Sequence, residues 1–325
     1  MVVTEECSLL PRRLSQRNSR VGFCRFVAGC CVLAFISIAA IGSSVEEPYA
    51  VQHLDLPAIS SPMWESHAAM DPITGDLWFV RSNTDFSRWQ ILVSHCGKGI
   101  LEPPTASPVA APGIEADPYF TPDGRTLYYI SSQRTGSRSS ADLDIWKVSR
   151  DSRGRWLKPE RLAEPVNSAF AEWFPRPAAD GWLYFGSRRP GGLGQDDIWK
   201  AKLNPQGRWT VENAGPEINS PDAEYEFLPS PDGGWALLST NKGIYHLEHS
   251  PGGWTKRLLV GKEVNANGTE IGLTLLTPED CLSPTAARAL PRFHADVFCF
   301  SRRVTVRSLI KKELRSSSTN LLVAA

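Results

Sequence analysis

A glutamate recurs at five places along this 325-residue chain, and its spacing places one carboxylate in each unit of a repeat. The copies are Glu65, Glu115, Glu172, Glu224 and Glu270, separated by 50, 57, 52 and 46 residues. Two carboxylates that face each other across a pocket can act as the acid and base of a glycosidase. A carboxylate found in every unit is more typical of hydrogen bonding between units, because catalysis needs it once or twice. The spacing therefore favours a structural role.

Four aspartates form a second group that could do chemistry, as calcium ligands. They are Asp142, Asp144, Asp196 and Asp197. Calcium takes about six to eight oxygen ligands, and these segments lack the alternating acidic spacing of a calcium loop. We expect Asp144 and Asp197 to accept backbone or arginine hydrogen bonds at the start of a strand instead. The sequence predicts no metal and no cofactor.

Signatures of common enzymes are missing from the sequence. It contains no Gly-x-Ser-x-Gly elbow, no His-Glu-x-x-His, no P-loop and no Gly-x-Gly-x-x-Gly, and its six histidines are scattered. Its 35 basic and 35 acidic residues give a formal net charge of zero. A nucleic-acid partner would require a basic excess. The sequence therefore predicts a protein that is not an enzyme and does not bind nucleic acid.

The elements that would position these groups are short strands. Asp-Gly pairs between apolar runs predict hairpin turns, because Gly tolerates a positive φ; they are Asp123-Gly124, Asp180-Gly181 and Asp232-Gly233. Third strands are predicted at 144–148, 197–200 and 243–247, and Trp156, Trp209 and Trp254 are predicted to open fourth strands. Units of about 40 to 50 residues with several short strands are typical of propeller blades. We predict an all-β propeller of four-stranded blades, with five repeats visible and either six blades or an incomplete ring.

Tryptophan is abundant, at 11 residues, and recurs at fixed positions of the repeat. Periodic aromatic residues favour packing between stacked sheets over a sugar-stacking platform.

One unit resembles a known repeat. Its residues are Asn167-Ser168, Glu172, Pro175, Asp180-Gly181, Leu183-Tyr184-Phe185, Ser187 to Gly192, Asp196 to Trp199, Gly207-x-Trp209 and Ile218-Asn219-Ser220. This block resembles one blade of the TolB-type WD-like β-propeller repeat, and the unit at Glu115 repeats most of it. The resemblance spans residues 58–276. It implies a periplasmic or cell-envelope propeller that acts as a binding or scaffold module. The family has no universal catalytic residues, so the resemblance assigns none.

Residues 1–45 are predicted to be an export signal or a signal anchor. Five arginines between positions 12 and 25 precede an uncharged run over 26–42, and Ala40-x-Gly42 offers a cleavage site. Cleavage would give a periplasmic or exported protein. An uncleaved anchor would attach the propeller to the inner membrane, outside the cytoplasm. The cysteines after this segment, Cys96, Cys281 and Cys299, are odd in number and irregular in spacing, and therefore predict no disulfide framework.

The repeat pattern occupies residues 46–276 and departs after Leu276. Residues 277–325 are either a divergent closing blade, with a hairpin between 297–300 and 304–306, or an aberrant tail that leaves the ring incomplete. Tyr49 to Leu54 has the alternating pattern of a strand but no blade of its own. Terminal strands often complete the last blade of a closed propeller. We therefore predict that this strand pairs with the other end of the chain.

A ligand site is predicted on the face where the loops between second and third strands emerge. These loops carry Arg81, Arg134, Arg188, Arg189 and Lys242, and the connections entering first strands bring Asn167, Asn219 and Asn265. Focused positive charge can capture an anionic partner despite a net charge of zero. The alternative is that these cations pair with acidic residues of neighbouring blades.

Two classes of function follow from these observations. The favoured one is a non-catalytic cell-envelope module that binds a protein, a peptide or an acidic glycan, with possible membrane attachment through the N-terminal apolar segment. The other is a carbohydrate-active or peptidase-related enzyme. That enzyme would require two non-repeated acidic residues, or a nucleophile and a base, at the mouth of the propeller.

Overall fold

The computed structural model describes residues 49–97, 100–133, 142–261, 264–265, 271–276, 296–300, 305–311 and 320–324. Within these ranges every regular element is a β-strand, and the strands form small sheets arranged as propeller blades. The predicted all-β propeller is confirmed. No helix capable of crossing a membrane is found in the same ranges. Arg134 and Glu270 lie outside them.

β1 (Tyr49–Asp55) comes before blade one in the chain. Blade one contains β2 (Trp64–Met70), β3 (Leu77–Ser82), β4 (Trp89–Ser94) and β7 (Thr105–Ala106), in that order. Between its third and fourth strands, β5 (Cys96–Gly97) pairs with β6 (Ile100–Leu101). Blade two contains β8 (Glu115–Phe120), β9 (Thr126–Ser131), β10 (Asp144–Ser149) and β11 (Glu160–Arg161).

Blades three and four follow the same plan. Blade three contains β12 (Glu172–Pro177), β13 (Leu183–Ser187), β14 (Asp197–Leu203) and β15 (Trp209–Asn213). Blade four contains β16 (Glu224–Pro229), β17 (Trp235–Thr240), β18 (Gly243–Ser250) and β19 (Gly253–Trp254), and β20 (Leu258–Leu259) also pairs with β18. The third strands begin where they were predicted. Trp209 opens a fourth strand as expected, whereas Trp156 forms only an isolated bridge with Arg150 and Trp254 ends β19 instead of opening it.

A fifth sheet joins the two ends of the chain. It contains β21 (Ile271–Leu276), β22 (Asp296–Phe300), β23 (Thr305–Lys311) and β24 (Asn320–Ala324), and its strand order is β1-β23-β22-β24-β21. β1 is antiparallel to β23 along its whole length, as predicted for the strand at Tyr49. β22 and β23 form the hairpin expected of a divergent closing blade.

The first strands of successive sheets contact one another around a ring, and β21 contacts both β16 and β2. The described strands thus close the ring with five sheets, where the sequence indicated six blades or an incomplete ring. The difference arises because the strands after β21 add to its sheet and take up β1, and so do not begin a sixth blade among the described residues.

The turn glycines have the backbone conformation that the sequence predicts. Gly124, Gly181 and Gly233 have φ values of 65°, 83° and 69°. The N–H of Gly181 donates to the carbonyl of Ala178 at 3.0 Å, which closes the turn between β12 and β13. These turns fix the register of the hairpin that contains each first strand.

Aromatic and charged side chains join blades one and two. Trp78 packs edge-on against Phe120 and Trp156, with ring centroids 5.5 and 5.7 Å apart. Arg150 lies over the Trp156 ring at 4.1 Å and forms a buried ion pair with Asp71. Packing of repeated tryptophans between sheets is thus observed here.

Candidate functional site

Each first strand has an irregular register near the repeated glutamate. The residues two positions after that glutamate differ from blade to blade: His67, Asp117, Phe174, Glu226 and Gly272. His67, Asp117 and Phe174 have φ values of 49°, 53° and 48°. This region is disfavoured for residues with a Cβ, and bulges re-aim side chains. Since such strained residues cluster at functional sites, the centre of the ring is the candidate site.

A cavity of about 270 Å³ lies at these residues. It is on the face where the loops between second and third strands emerge, which is the face that the sequence analysis singled out. Its wall is aromatic, and the members of that wall are Trp89, Trp173, Phe174 and Tyr225. His67 and Asp117 supply its inner polar groups, and Arg188 and Asp196 also line it. We call it the aromatic cavity.

His67 and Asp117 form the polar centre of the aromatic cavity. His67 Nε2 lies 3.5 Å from Asp117 Oδ1, and Asp117 Oδ2 accepts the N–H of Phe174 at 2.9 Å. The His67 ring stacks against Trp89 and Phe174, with centroids 6.0 and 5.3 Å away. Burial lowers the pKa of His67 to about 4 and raises the pKa of Asp117 to about 6. At neutral pH the pair therefore consists of a neutral imidazole and a predominantly ionised carboxylate.

A buried ion pair lies close to this centre. Arg176 Nε donates to Glu226 Oε1 at 2.9 Å, and Arg176 Nη2 donates to the same oxygen. Glu226 Oε2 accepts the N–H of Gly272 at 2.8 Å, and both carboxylate oxygens lie 3.0 Å from the N–H of Leu273. The Arg176 guanidinium stacks on the Tyr119 ring at 4.5 Å. Burial raises the pKa of Glu226, and Arg176 opposes that shift. These bonds connect blade three, blade four and the fifth sheet.

The four repeated glutamates that the structure describes are buried, and three of them have a serine and an arginine partner within their own blade. The serine hydroxyls of Ser61, Ser168 and Ser220 donate to Glu65, Glu172 and Glu224 at 2.5, 2.5 and 2.6 Å. The arginine partners are Arg81, Arg189 and Arg257. This arrangement is structural, as the spacing predicted, but the bonds run within blades. Glu115 differs, because neither of its buried oxygens has a hydrogen-bond partner of ordinary geometry among the residues that the structure describes.

The predicted basic site residues that the structure describes are each paired with a carboxylate of the same blade. The pairs are Arg81–Glu65 at 2.7 Å, Arg188–Asp196 at 2.9 Å, Arg189–Glu172 at 2.7 Å and Lys242–Asp222 at 2.6 Å. Arg134 lies outside the described residues. Of the described members of this set, only Arg188 lines the aromatic cavity.

The predicted asparagines bind backbone groups. Asn167 accepts the N–H of Ile145 at 2.6 Å and donates to the carbonyls of Ile145 and Leu162 at 2.9 and 2.8 Å. Asn219 makes the equivalent bonds to Ile198, and Asn265 makes them to Ile244 and Val260. These amides hold the third strand to the connection that follows the blade, and they lie away from the aromatic cavity lining.

The aspartates considered as calcium ligands have protein partners. Asp144 accepts hydrogen bonds from Arg161 Nε and Nη2, each at 2.6 Å. Asp197 accepts the N–H groups of Leu193 and Gly194 at 2.5 and 2.8 Å. The expectation for Asp144 and Asp197 is confirmed. Among the residues that the structure describes, no group of three or more His, Cys, Asp or Glu side chains could hold a metal ion.

A second depression, of about 290 Å³, lies at the other ends of the first strands. Proline-containing turns surround it, among them Pro72, Pro122, Pro177 and Pro231. Among the residues that the structure describes, no charged side chain lines it. It therefore has none of the acid, base or ionic groups found at the aromatic cavity.

Sequence reasoning missed the residues at the centre of the aromatic cavity. It emphasised residues that recur in every blade, and His67 was among the scattered histidines. The signal that could have found them is variation within the repeat, because the residue two positions after the repeated glutamate changes from blade to blade. Trp89 and Trp173 were assigned to packing between sheets, but both line the cavity.

No protein-family model matches the chain, and no curated protein matches it. Among solved structures, TolB from Acinetobacter baumannii is similar with a TM-score of 0.44 and 13% identity, over 81% of this chain and 58% of that chain. A gluconolactonase from Xanthomonas campestris is similar with a TM-score of 0.44 and 11% identity, over 81% of this chain and 90% of that chain. An α-L-arabinofuranosidase from Lactobacillus brevis is similar with a TM-score of 0.41 and 13% identity, over 70% of this chain and 82% of that chain. This chain thus spans 58% of the length of the TolB chain. Likeness at these identities concerns the fold and assigns no activity.

Proposed function

We propose that this protein is a non-catalytic binding propeller of the cell envelope, and that its ligand occupies the aromatic cavity. The supporting observation is the convergence of strained residues from blades one, two and three on one aromatic-walled cavity of about 270 Å³. Apolar cavities with a few convergent polar groups are the usual form of a ligand site.

The engagement of Glu226 favours binding over catalysis. A glycosidase needs two carboxylates that are free to exchange protons or attack the substrate. Asp117 and Glu226 are the non-repeated acidic residues on the first strands near the cavity, but both oxygens of Glu226 are occupied by Arg176 and by the N–H groups of Gly272 and Leu273. Asp196 also lines the cavity, but both its oxygens accept Arg188 Nε at 2.9 Å, so Asp117 has no unengaged acidic partner among the described residues.

Two observations support a location in the envelope. The basic and apolar pattern of residues 1–45 is that of an export signal or signal anchor. Cys96 is disulfide-bonded, a bond that the irregular cysteine spacing did not predict, and such bonds are rare in reducing compartments. The partner classes expected there are an envelope protein, a peptide or a glycan. Because the described cations of the basic loops are paired with carboxylates, we place the ligand in the aromatic cavity of that face and not on the cations themselves.

The proposal can be tested with glycan and peptide libraries on the immobilised protein. Trp173→Ala and Tyr225→Ala each remove part of the cavity wall, and both should lose any ligand that the parent retains. Trp182→Ala is the matched control, because Trp182 follows the turn at the other ends of the strands and contacts Lys200 and Lys202. Circular dichroism melting establishes that each variant is folded.

Retention of the ligand by both cavity variants would exclude the aromatic cavity as the site. Mass spectrometry of the eluted ligand provides the second measurement. Recovery of unchanged ligand supports a binding module, whereas a cleaved or hydrolysed product would make the protein an enzyme.

A further inference from the structure

We propose that the aromatic cavity binds the quaternary ammonium group of a small organic cation. This inference rests on the binding role proposed above, and it replaces the protein, peptide or glycan expected there with a small organic cation. It is carried by the combination of one buried carboxylate without a matching cation and an aromatic wall around it.

The charges around the aromatic cavity leave Asp117 uncompensated. Arg188 lines the cavity, but its Nε donates to both oxygens of Asp196 at 2.9 Å. Arg176 is the other nearby cation, and it is paired with Glu226. Among the described residues, the formal charge that remains is therefore negative and lies on Asp117, which is 1% exposed. A positive ligand would supply the missing counter-charge.

The wall of the cavity suits a cation. The faces of tryptophan, tyrosine and phenylalanine rings attract ammonium groups, most strongly when water is excluded. Trp89, Trp173, Phe174 and Tyr225 supply such rings around the cavity. An anionic ligand would meet the same rings and the Asp117 carboxylate unfavourably.

The hydrogen bonds already made at the site favour a quaternary over a primary ammonium group. A primary ammonium group brings three N–H donors that each need an acceptor. Asp117 Oδ2 already accepts the N–H of Phe174 and both oxygens of Asp196 accept Arg188 Nε, which leaves Asp117 Oδ1, 3.5 Å from His67 Nε2, as the main carboxylate acceptor for three donors. A trimethylammonium group has no N–H donors and presents methyl groups to the rings.

Three small probes separate these possibilities on the intact protein. Choline carries a trimethylammonium group, 3,3-dimethylbutan-1-ol has the same shape without the charge, and ethanolamine has a primary ammonium group. Titration calorimetry and tryptophan fluorescence should show choline binding about tenfold or more tightly than either analogue, given the strength of desolvated cation–π contacts. This comparison requires no variant.

Asp117→Asn keeps the size of the side chain and an oxygen for the Phe174 N–H. It should reduce choline affinity to that of the neutral analogue. Asp151→Asn is the control, since Asp151 lies in the turn at the other ends of the strands, bonded to Arg155, and choline affinity should stay unchanged there.

Equal affinity for choline and 3,3-dimethylbutan-1-ol, or no choline binding, would overturn the ammonium assignment. Full choline affinity in Asp117→Asn would overturn it as well. None of these results would remove the binding role if a library ligand is lost in Trp173→Ala. If that ligand is retained by both cavity variants, the proposed binding site itself is excluded.

Discussion

Replacing Glu226 by alanine should destabilise the propeller strongly, because Arg176 would remain buried without a counter-charge. Arg176 and Glu226 are 2% and 0% exposed. The same replacement removes the acceptor for the N–H groups of Gly272 and Leu273. One substitution therefore acts on an ion pair and on the contact between blade four and the fifth sheet.

The magnitude follows from the burial of both groups. Removing one member of a buried ion pair typically costs about 3 to 5 kcal/mol. Replacing both members with apolar residues, as in Arg176→Met with Glu226→Leu, removes the uncompensated charge. The backbone N–H groups of Gly272 and Leu273 would still lack an acceptor in that double variant, at about 1 to 3 kcal/mol each, as they would in Glu226→Ala. We expect the double variant to be more stable than Glu226→Ala alone.

Urea unfolding followed by tryptophan fluorescence measures these differences at neutral pH. Glu212→Ala is the control, because the Lys200–Glu212 pair has a similar separation of 2.9 Å but Glu212 is 57% exposed. Its removal should cost less than about 1 kcal/mol. A cost for Glu226→Ala no greater than that for Glu212→Ala would contradict a role of the buried ion pair. A double variant as unstable as Glu226→Ala would contradict it too, since an unpaired guanidinium would then not be the cause.

Three further results are expected. Burial raises the pKa of Glu115 to about 7, and a carboxyl with a raised folded-state pKa opposes folding once it ionises, so the free energy of unfolding should fall as pH rises from about 4.5 to 7. In urea unfolding at pH 5 and pH 8, Glu115→Gln should remove about 1 to 3 kcal/mol of that loss. A variant with the pH dependence of the parent would contradict this. Gly181→Val should destabilise the protein by about 1 to 3 kcal/mol, because the φ of Gly181 is 83°. The control Gly252→Val, at an exposed glycine without a positive φ, should change stability by less than about 0.5 kcal/mol, and equal effects would show that turn strain is not responsible. Deleting residues 46–56 removes β1 and exposes β23 as an edge, so it should lower the melting temperature and promote aggregation; unchanged thermal unfolding would rule out a closing role for β1.

The blade pattern could be predicted because its signals are local. Asp180 and Gly181 specify their turn within a few residues, and Gly181 has the predicted positive φ. Asp197 begins the third strand of blade three, and its carboxylate accepts N–H groups from the preceding loop, as expected. Such features depend on chain neighbours, so one unit of the repeat carries the information.

The number of sheets could not be obtained in the same way. Closure depends on the pairing of β1 with β23, two segments separated by most of the chain. The hairpin of β22 and β23 lacks the turn signals of the earlier blades, and its place in the ring follows from its partners. Nonlocal pairing thus decided that the described strands close as five sheets.

The charges of the candidate site also depended on tertiary structure. Sequence identified Arg81 and Arg189 as cations on one face, but their pairing with Glu65 and Glu172 is a matter of position in space. The Asp117 carboxylate has an ionised arginine nearby, yet that arginine is bound to Glu226 of another blade. Counting charges along the chain cannot reveal which of them remain uncompensated.

By itself, the sequence determined the all-β class, the four-stranded unit and its turns, because hairpin chemistry and alternating burial are encoded between residues close in the chain. Only the tertiary structure decided that His67, Asp117 and Phe174, one from each of three blades, meet at a single cavity. The physical reason is that ring closure brings first strands about 50 residues apart in sequence side by side. Burial then sets the ionisation of His67 and Asp117, and neither effect is visible within one repeat.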